Sequence, residues 1–307
     1  MTCVTLSDWT EAHHQAAGQR HKALNLEGEE RRRVYWKTIE AQRAGYIARH
    51  TNLFFDLLQR LKKDVLQAAR GTVLVEHIPS AVEHALRGHE ADYREEVLRL
   101  YRSVWPIFAE RTRDGLRGKQ PGYAHWVRKR ISHRTAEPSR KQGGEGWMRE
   151  AQSFVSNEGG VLIREPTQAT KQAIMEATRT AVSEGLEEGE GAEAIARRID
   201  NNTSRVVSRT RARRIARTET IRASNRASIS GAQRASQETG QNLLKDWIAT
   251  RDSRVRSSHA SADGQTVPLN ETFTVGGFSA RYPADPQLPP RLSVNCRCTL
   301  AYVKKNE

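Results

Sequence analysis

The sequence predicts a mainly α-helical protein, a helical body followed by a small C-terminal α+β cap. Three observations carry that expectation. Apolar residues recur at helical spacing in several stretches before residue 240, as in Leu53, Leu57, Leu58, Leu61 and Val65. After Gly240 the texture changes to short Thr-, Val- and Phe-bearing runs broken by Gly and Pro. The mean hydropathy is −0.73, and no run approaches the roughly 18 apolar residues that a membrane span requires.

Taken in order, residues 8–70 read as helix, with Arg60, Lys62 and Lys63 between the apolar positions and Gly71 as a C-terminal stop. Val73-Leu74-Val75 is too short to decide between a strand and a buried helix start. Residues 80–110 place Tyr93, Val97, Leu100, Tyr101 and Val104 on one helical face, with a disturbance expected at Pro106. Residues 112–147 carry Pro121, Pro138, scattered glycines and the basic runs Arg128-Lys129-Arg130 and Arg140-Lys141, the composition of an irregular linker. A soft boundary therefore falls near residue 150, between a helical 1–150 region with a basic linker near its end and a 151–307 domain.

Beyond that boundary Thr167 is suited to cap a helix bearing Ile174, Ala177, Ala181 and Val182 that ends near Gly185–Gly191. A short helix with Ala194, Ile195 and Ile199 stops near Asn201-Asn202, and a long one runs from about Ser204 to Ser236. In the cap, 241–303, strands are expected at Thr266–Leu269, Phe273–Val275 and Thr299–Val303. No internal repeat is visible.

Net charge is +14 at pH 7 over 307 residues, so an anionic partner is expected, nucleic acid first. The charge is concentrated: between Arg205 and Arg234 nine arginines face one acid, Glu219. Arginine keeps its charge and pairs bidentately with phosphate. Arg205, Arg209, Arg211, Arg213, Arg214, Arg217, Arg222 and Arg226 are thus candidate contacts to a DNA backbone, positioning rather than reading sequence. The ordinary alternative is a solvated helix whose arginines pair with acids such as Glu187, Glu188 and Glu190. Ile215, Thr218, Ile221 and Ile229 are expected to face the core, and Glu219 to neutralise Arg222 or Arg226 one turn on.

Three cysteines, two of them in Cys296-Arg297-Cys298, make no disulfide framework. Met1–Trp9 lacks a secretory n-region and apolar core, so reduced thiols in a cytoplasmic setting are expected. His259, Cys296 and Cys298, with Asp263 or Asp252 as an oxygen donor, have the donor types of a tetrahedral zinc site. Against this stands the plainer reading, cysteines packed as small hydrophobes and a histidine bonded to a turn. Asp263-Gly264-Gln265 reads as a turn with glycine at positive φ, and Asp252 as an acceptor for nearby backbone N–H groups. Trp247 and Phe273 read as core, while Pro283, Pro286, Pro289 and Pro290 stiffen the approach to Asn295-Cys296. A nuclease or phosphodiesterase would use His259 with an aspartate and a metal, and a thiol enzyme Cys298 with His259. No nucleophile elbow, phosphate-binding glycine loop or His-Glu-x-x-His occurs.

Several of these pieces fall in one order and spacing: Gly185 to Gly191, Ile215-Ala216-Arg217-Thr218-Glu219, Lys245-Asp246-Trp247, Asp252 and Arg254-Val255-Arg256. They continue through His259, Asp263-Gly264-Gln265, Phe273, Tyr282-Pro283 and Asn295-Cys296-Arg297-Cys298. As a set, over roughly 165–303, they resemble the C-terminal region of the phage head-morphogenesis family, the minor capsid proteins similar to Mu protein F. The resemblance implies a low-copy, non-enzymatic head component placed in the capsid interior near the portal after assembly in the host cytoplasm. Its implied partners are portal and capsid proteins and phage double-stranded DNA, and its implied work is assembly or genome ejection. It carries over no catalytic residues. The alternative function is a metal-dependent nuclease or processing enzyme centred on His259, Asp263, Cys296 and Cys298. Some relatives join this module to toxin or transferase domains; with the sequence ending at Glu307, soon after Cys298, no C-terminal effector is expected. Residues 1–150 carry no motif that extends the resemblance.

Overall fold

The computed structural model describes residues 29–117 and 144–304. Helices come first: α1 (Glu29–Arg70), a 3-10 turn (Val75–His77), α2 (Ile78–Leu86), α3 (His89–Leu116), α4 (Gly144–Glu187), α5 (Ala192–Thr203) and α6 (Arg209–Thr239). The cap follows with β1 (Leu243–Ile248), α7 (Ser257–Ala260), β2 (Thr266–Pro268), β3 (Phe273–Val275), β4 (Phe278–Ala280), α8 (Pro290–Ser293) and β5 (Thr299–Lys304). A helical body with a small C-terminal sheet is what the sequence predicts. No helix among the described residues is long and apolar enough to cross a membrane.

Several local expectations change. The 3-10 turn settles the Val73–Val75 ambiguity in favour of neither strand nor long helix. Helix α3 continues through Pro106. An interior proline costs about 3 kcal/mol, and here the helix is held by burial of Val104, Trp105, Pro106, Phe108 and Ala109 around it. Thr167 is not a cap: α4 starts at Gly144, so Thr167 lies mid-helix and buried. The supposed linker 112–147 contributes Leu116 and Trp147 to the core at its two ends. Residues 8–28 and 118–143, including Arg128-Lys129-Arg130, lie outside the described residues.

Two compact units emerge, and each takes segments from both sides of residue 150. One unit comprises 46–100 and 154–217. Its core holds Phe54, Leu57, Leu58, Leu61, Val65, Val97 and Leu100 with Ile174, Ile195 and Ile199, the apolar stripes expected of amphipathic helices. Within it buried His50 meets Glu96 at 3.0 Å.

The other unit holds the described residues of 29–45, 101–117, 144–153 and 218–304. From Thr218 to Ala232 the helix α6 is buried on nearly every side. Small residues permit this: a Cβ on Gly231 would stand 2.2 Å from the backbone oxygen of Ala109, so α3 and α6 touch backbone to backbone. Large side chains fill the rest, among them Trp105, Trp147, Trp247, Tyr101, Tyr302 and Phe273, each contributing about 1.5–3 kcal/mol by burial. The sheet has the order β2-β1-β5, antiparallel throughout, with Leu244 opposite both Pro268 and Val303. The sequence pattern does not predict strand β1. All six of its residues are buried, so the alternation that marks a half-buried strand is missing. The β3–β4 hairpin turns at Gly276 and Gly277, both at positive φ (58° and 81°), as a two-residue turn of this hand requires.

Candidate functional site

The cap is assembled on one face of α1. Arg32 donates to Asp246 (2.8 Å), to the Trp247 carbonyl (2.9 Å) and to Asp263 (3.3 Å). Tyr35 Oη donates to the Leu300 carbonyl and Trp36 Nε1 to that of Arg297, both at 2.8 Å. Arg43, wholly buried, donates to Ser224 (2.8 Å), Asn225 (2.8 Å), the Cys298 carbonyl (3.2 Å) and Thr299 (3.4 Å). Burial depresses its pKa from the ordinary value, with the charge of Glu40 working the other way. Helical spacing places 32, 35, 36 and 43 along one side, yet their partners lie some 180 or more residues away, which no local pattern announces.

The signature residues turn out to be braces. Glu219 accepts from Arg222 (2.7 Å) and Tyr101 (3.1 Å), and Arg222 also donates to the Ala284 carbonyl (2.8 Å). Thr218 Oγ1 accepts the backbone N–H of Asn295 (3.0 Å), a residue at φ +60°. Lys245 Nζ donates to the Arg281 carbonyl (2.8 Å), and Arg256 to that of Val294 (2.7 Å). Asp252 accepts the Arg254 backbone N–H (3.0 Å), as foreseen, and is clamped by Arg297 (2.8 Å), which holds its carboxyl well below the usual range. Gly264 closes its turn at φ +80°.

At the centre of these braces His259, Cys296 and Cys298 converge. Their ligand atoms all lie within 4.8 Å of one another, and all three residues are buried, at 2 %, 1 % and 1 % exposure. His259 Nδ1 is 3.3 Å from Cys298 Sγ and 3.7 Å from Cys296 Sγ. The Cys298 backbone N–H donates to Cys296 Sγ (3.4 Å), and Thr250 Oγ1 is 3.9 Å from Cys298 Sγ. Both cysteines are free. Burial pushes the Cys298 thiol up, but hydrogen bonds with Cys296 and His259 outweigh it and hold that thiol well below its ordinary value. Burial and the neighbouring Cys298 together push the Cys296 thiol well up. The pair thus accommodates one negative charge readily and resists a second.

Asp263 does not join them. Its Oδ1 accepts the Ala249 backbone N–H (2.8 Å) and its Oδ2 pairs with Arg251 (2.8 Å), with Arg32 also in contact. Two guanidinium groups have captured the carboxylate, so the expected four-residue ligand set reduces to three. Asp252 is likewise committed to Arg297.

The eight candidate arginines divide by position. Arg205, in the turn before α6, and Arg209, Arg213 and Arg214 in its first turns are exposed. Arg209 donates to Asn52 (2.9 Å) and lies over the Phe55 ring. Arg211, bonded to Thr170 at 2.7 Å, and Arg217 are half-buried, as is Arg226, which bonds Ser230 (3.0 Å) and lies over Trp105. Arg222 is 4 % exposed and ion-paired, so a phosphate cannot reach it, and α6 is not the uniformly solvated basic rod its composition suggests. Of the acids expected to neutralise the run, Glu188 and Glu190 pair with Arg198, which also takes Glu184, while Glu187 accepts from the Ser183 hydroxyl.

Residues 176–301 match the family described as Phage Mu protein F like protein, which is the segment that holds the basic helix, the braces and the histidine–cysteine cluster. A stretch of 64 residues is 41% identical to part of NAD(+)--arginine ADP-ribosyltransferase EFV of Enterococcus faecalis. That stretch is 21% of this chain and 13% of that protein's length. No solved structure matches the chain.

Proposed function

We propose that this protein is a minor head protein of a tailed phage that meets packaged double-stranded DNA through Arg205, Arg209, Arg213 and Arg214. The match of residues 176–301 carries the head assignment. The DNA contact is supported by the exposure of those four arginines and by the pairing of Glu188 and Glu190 with Arg198 instead. Guanidinium groups on a helix end hold phosphates without reading bases, which suits a genome of any sequence. Portal and capsid proteins are the partners, and the interior of the head near the portal is the location.

The nuclease reading loses its chemistry. A metal-activated water must reach substrate, whereas His259 and both cysteines are closed off and Asp263 is held by Arg32 and Arg251. The transferase named above belongs to the whole relative, and a stretch covering 13% of it gives no ground for the same activity here.

The contact is tested by the salt dependence of binding to random-sequence duplex DNA. Each neutralised phosphate contributes about 0.9 to the slope of log affinity against log salt. An Arg205→Ala/Arg213→Ala/Arg214→Ala variant is therefore expected to flatten that slope by about two to three. An unchanged slope, with folding intact by circular dichroism, places the DNA contact elsewhere.

A further inference from the structure

We propose that His259 Nδ1, Cys296 Sγ and Cys298 Sγ hold one divalent thiophilic ion of the zinc class, which locks the C-terminal cap. The inference stands apart from the DNA-contact reading, because it rests on the interior of the cap alone.

In a tetrahedral site with Zn–S of about 2.3 Å and Zn–N of about 2.0–2.1 Å, an N···S edge measures roughly 3.6 Å. The two N···S separations are 3.3 and 3.7 Å. A single thiol–imidazole hydrogen bond explains one such approach; one imidazole nitrogen facing two sulfurs at nearly equal range is the arrangement a shared cation produces. Donor chemistry agrees, since thiolate and imidazole together select zinc-class ions over magnesium or calcium. Charge agrees as well. Two thiolates and a neutral imidazole around a divalent ion sum to zero, the balance a site without solvent needs, whereas two buried thiolates without a cation repel.

The surroundings hold the two cysteine ligands in place. The Cys298 N–H donates to Cys296 Sγ, and the Cys298 carbonyl is gripped by Arg43 and by Asn225 Nδ2, each at 3.2 Å. Asn295 at φ +60° turns the chain so that Cys296 enters the cluster, and Arg256 fixes the preceding carbonyl of Val294. Such outer bonds orient ligands and tune the metal. Thr250, itself buried, stands with its Oγ1 3.9 Å from Cys298 Sγ. Closure of the site marks a structural rather than catalytic ion. The ion would join α7 to the entry of β5, two segments nearly forty residues apart with little regular structure between them, and metal binding energy there is folding energy.

The test uses the full chain, purified without chelator and under reducing conditions. Elemental analysis is expected to give one zinc per chain, and cobalt exchange to give a thiolate-to-metal charge-transfer band. Chelator is expected to lower Tm and zinc to restore it. The Cys296→Ser/Cys298→Ser variant is expected to bind none; metal retained by that variant overturns the assignment. Should the variant not fold, the wild-type chain decides by thiol titration. Two of its three thiols are expected to resist modification until chelator is added. A folded wild-type chain that takes up no zinc on reconstitution, with the same thiol reactivity before and after chelator, also overturns it.

Discussion

Lys245 is a cation in the middle of a fully buried strand. Its ammonium donates to the Arg281 carbonyl and sits 5.2 Å from the Phe273 ring centroid. Burial depresses its pKa from 10.5 to about 8, with Asp285 pulling the other way. Below pH 8 both folded and unfolded chains carry the proton and the burial cost is fully present. Between about 8 and 10.5 the unfolded chain binds more protons than the folded one, so stability contributed by this group rises with pH. Urea denaturation from pH 7 to 10 is expected to show that rise in the wild type and a flatter profile in Lys245→Met; parallel profiles contradict it. At this scale the sequence told some things and hid others. The Glu219–Arg222 pair is legible because its partners are one turn apart. Asp263 misleads, since a carboxylate near a histidine and two cysteines reads as a ligand, while it is held by Arg251 at 2.8 Å and by Arg32, 231 residues away. Arg43 was invisible for the same reason.

Helix α6 shows how composition and environment part company. Its arginine count suggests a solvated rod, and its ends behave so, but the middle is a core element packed through Ala, Ser and Gly. Gly231 is the tightest point. A methyl there meets the Ala109 backbone oxygen at 2.2 Å, a fixed obstacle rather than a movable side chain. Gly231→Ala is expected to destabilise by about 1–3 kcal/mol through overpacking, despite the better helix propensity of alanine. Equal or greater stability in chemical denaturation contradicts the close crossing. The other boundary errors have local causes. Strand β1 lacks alternation because both its faces are covered, and Thr167 looked like a start because α4 absorbs Gly159, Gly160 and Pro166 without breaking. The β2, β3 and β5 strands were legible because glycine and proline punctuate them.

For the molecule as a whole, the fold class followed from helical periodicity and the change of texture after Gly240. The division into compact units did not, because α1, α3, α4 and α6 each contribute residues to both and the units are discontinuous in sequence. The histidine–cysteine cluster was legible by donor type, while its closure and its loss of Asp263 are properties of the folded cap. The head reading rests on residues 176–301, and the measurement that bears on it most directly is quantitative mass spectrometry of purified procapsids and filled heads from the source phage or induced prophage. The account predicts a few copies per particle, with crosslinks to DNA from the Arg205–Arg214 segment in filled heads. Absence from both particles, in cells that express the protein, contradicts it.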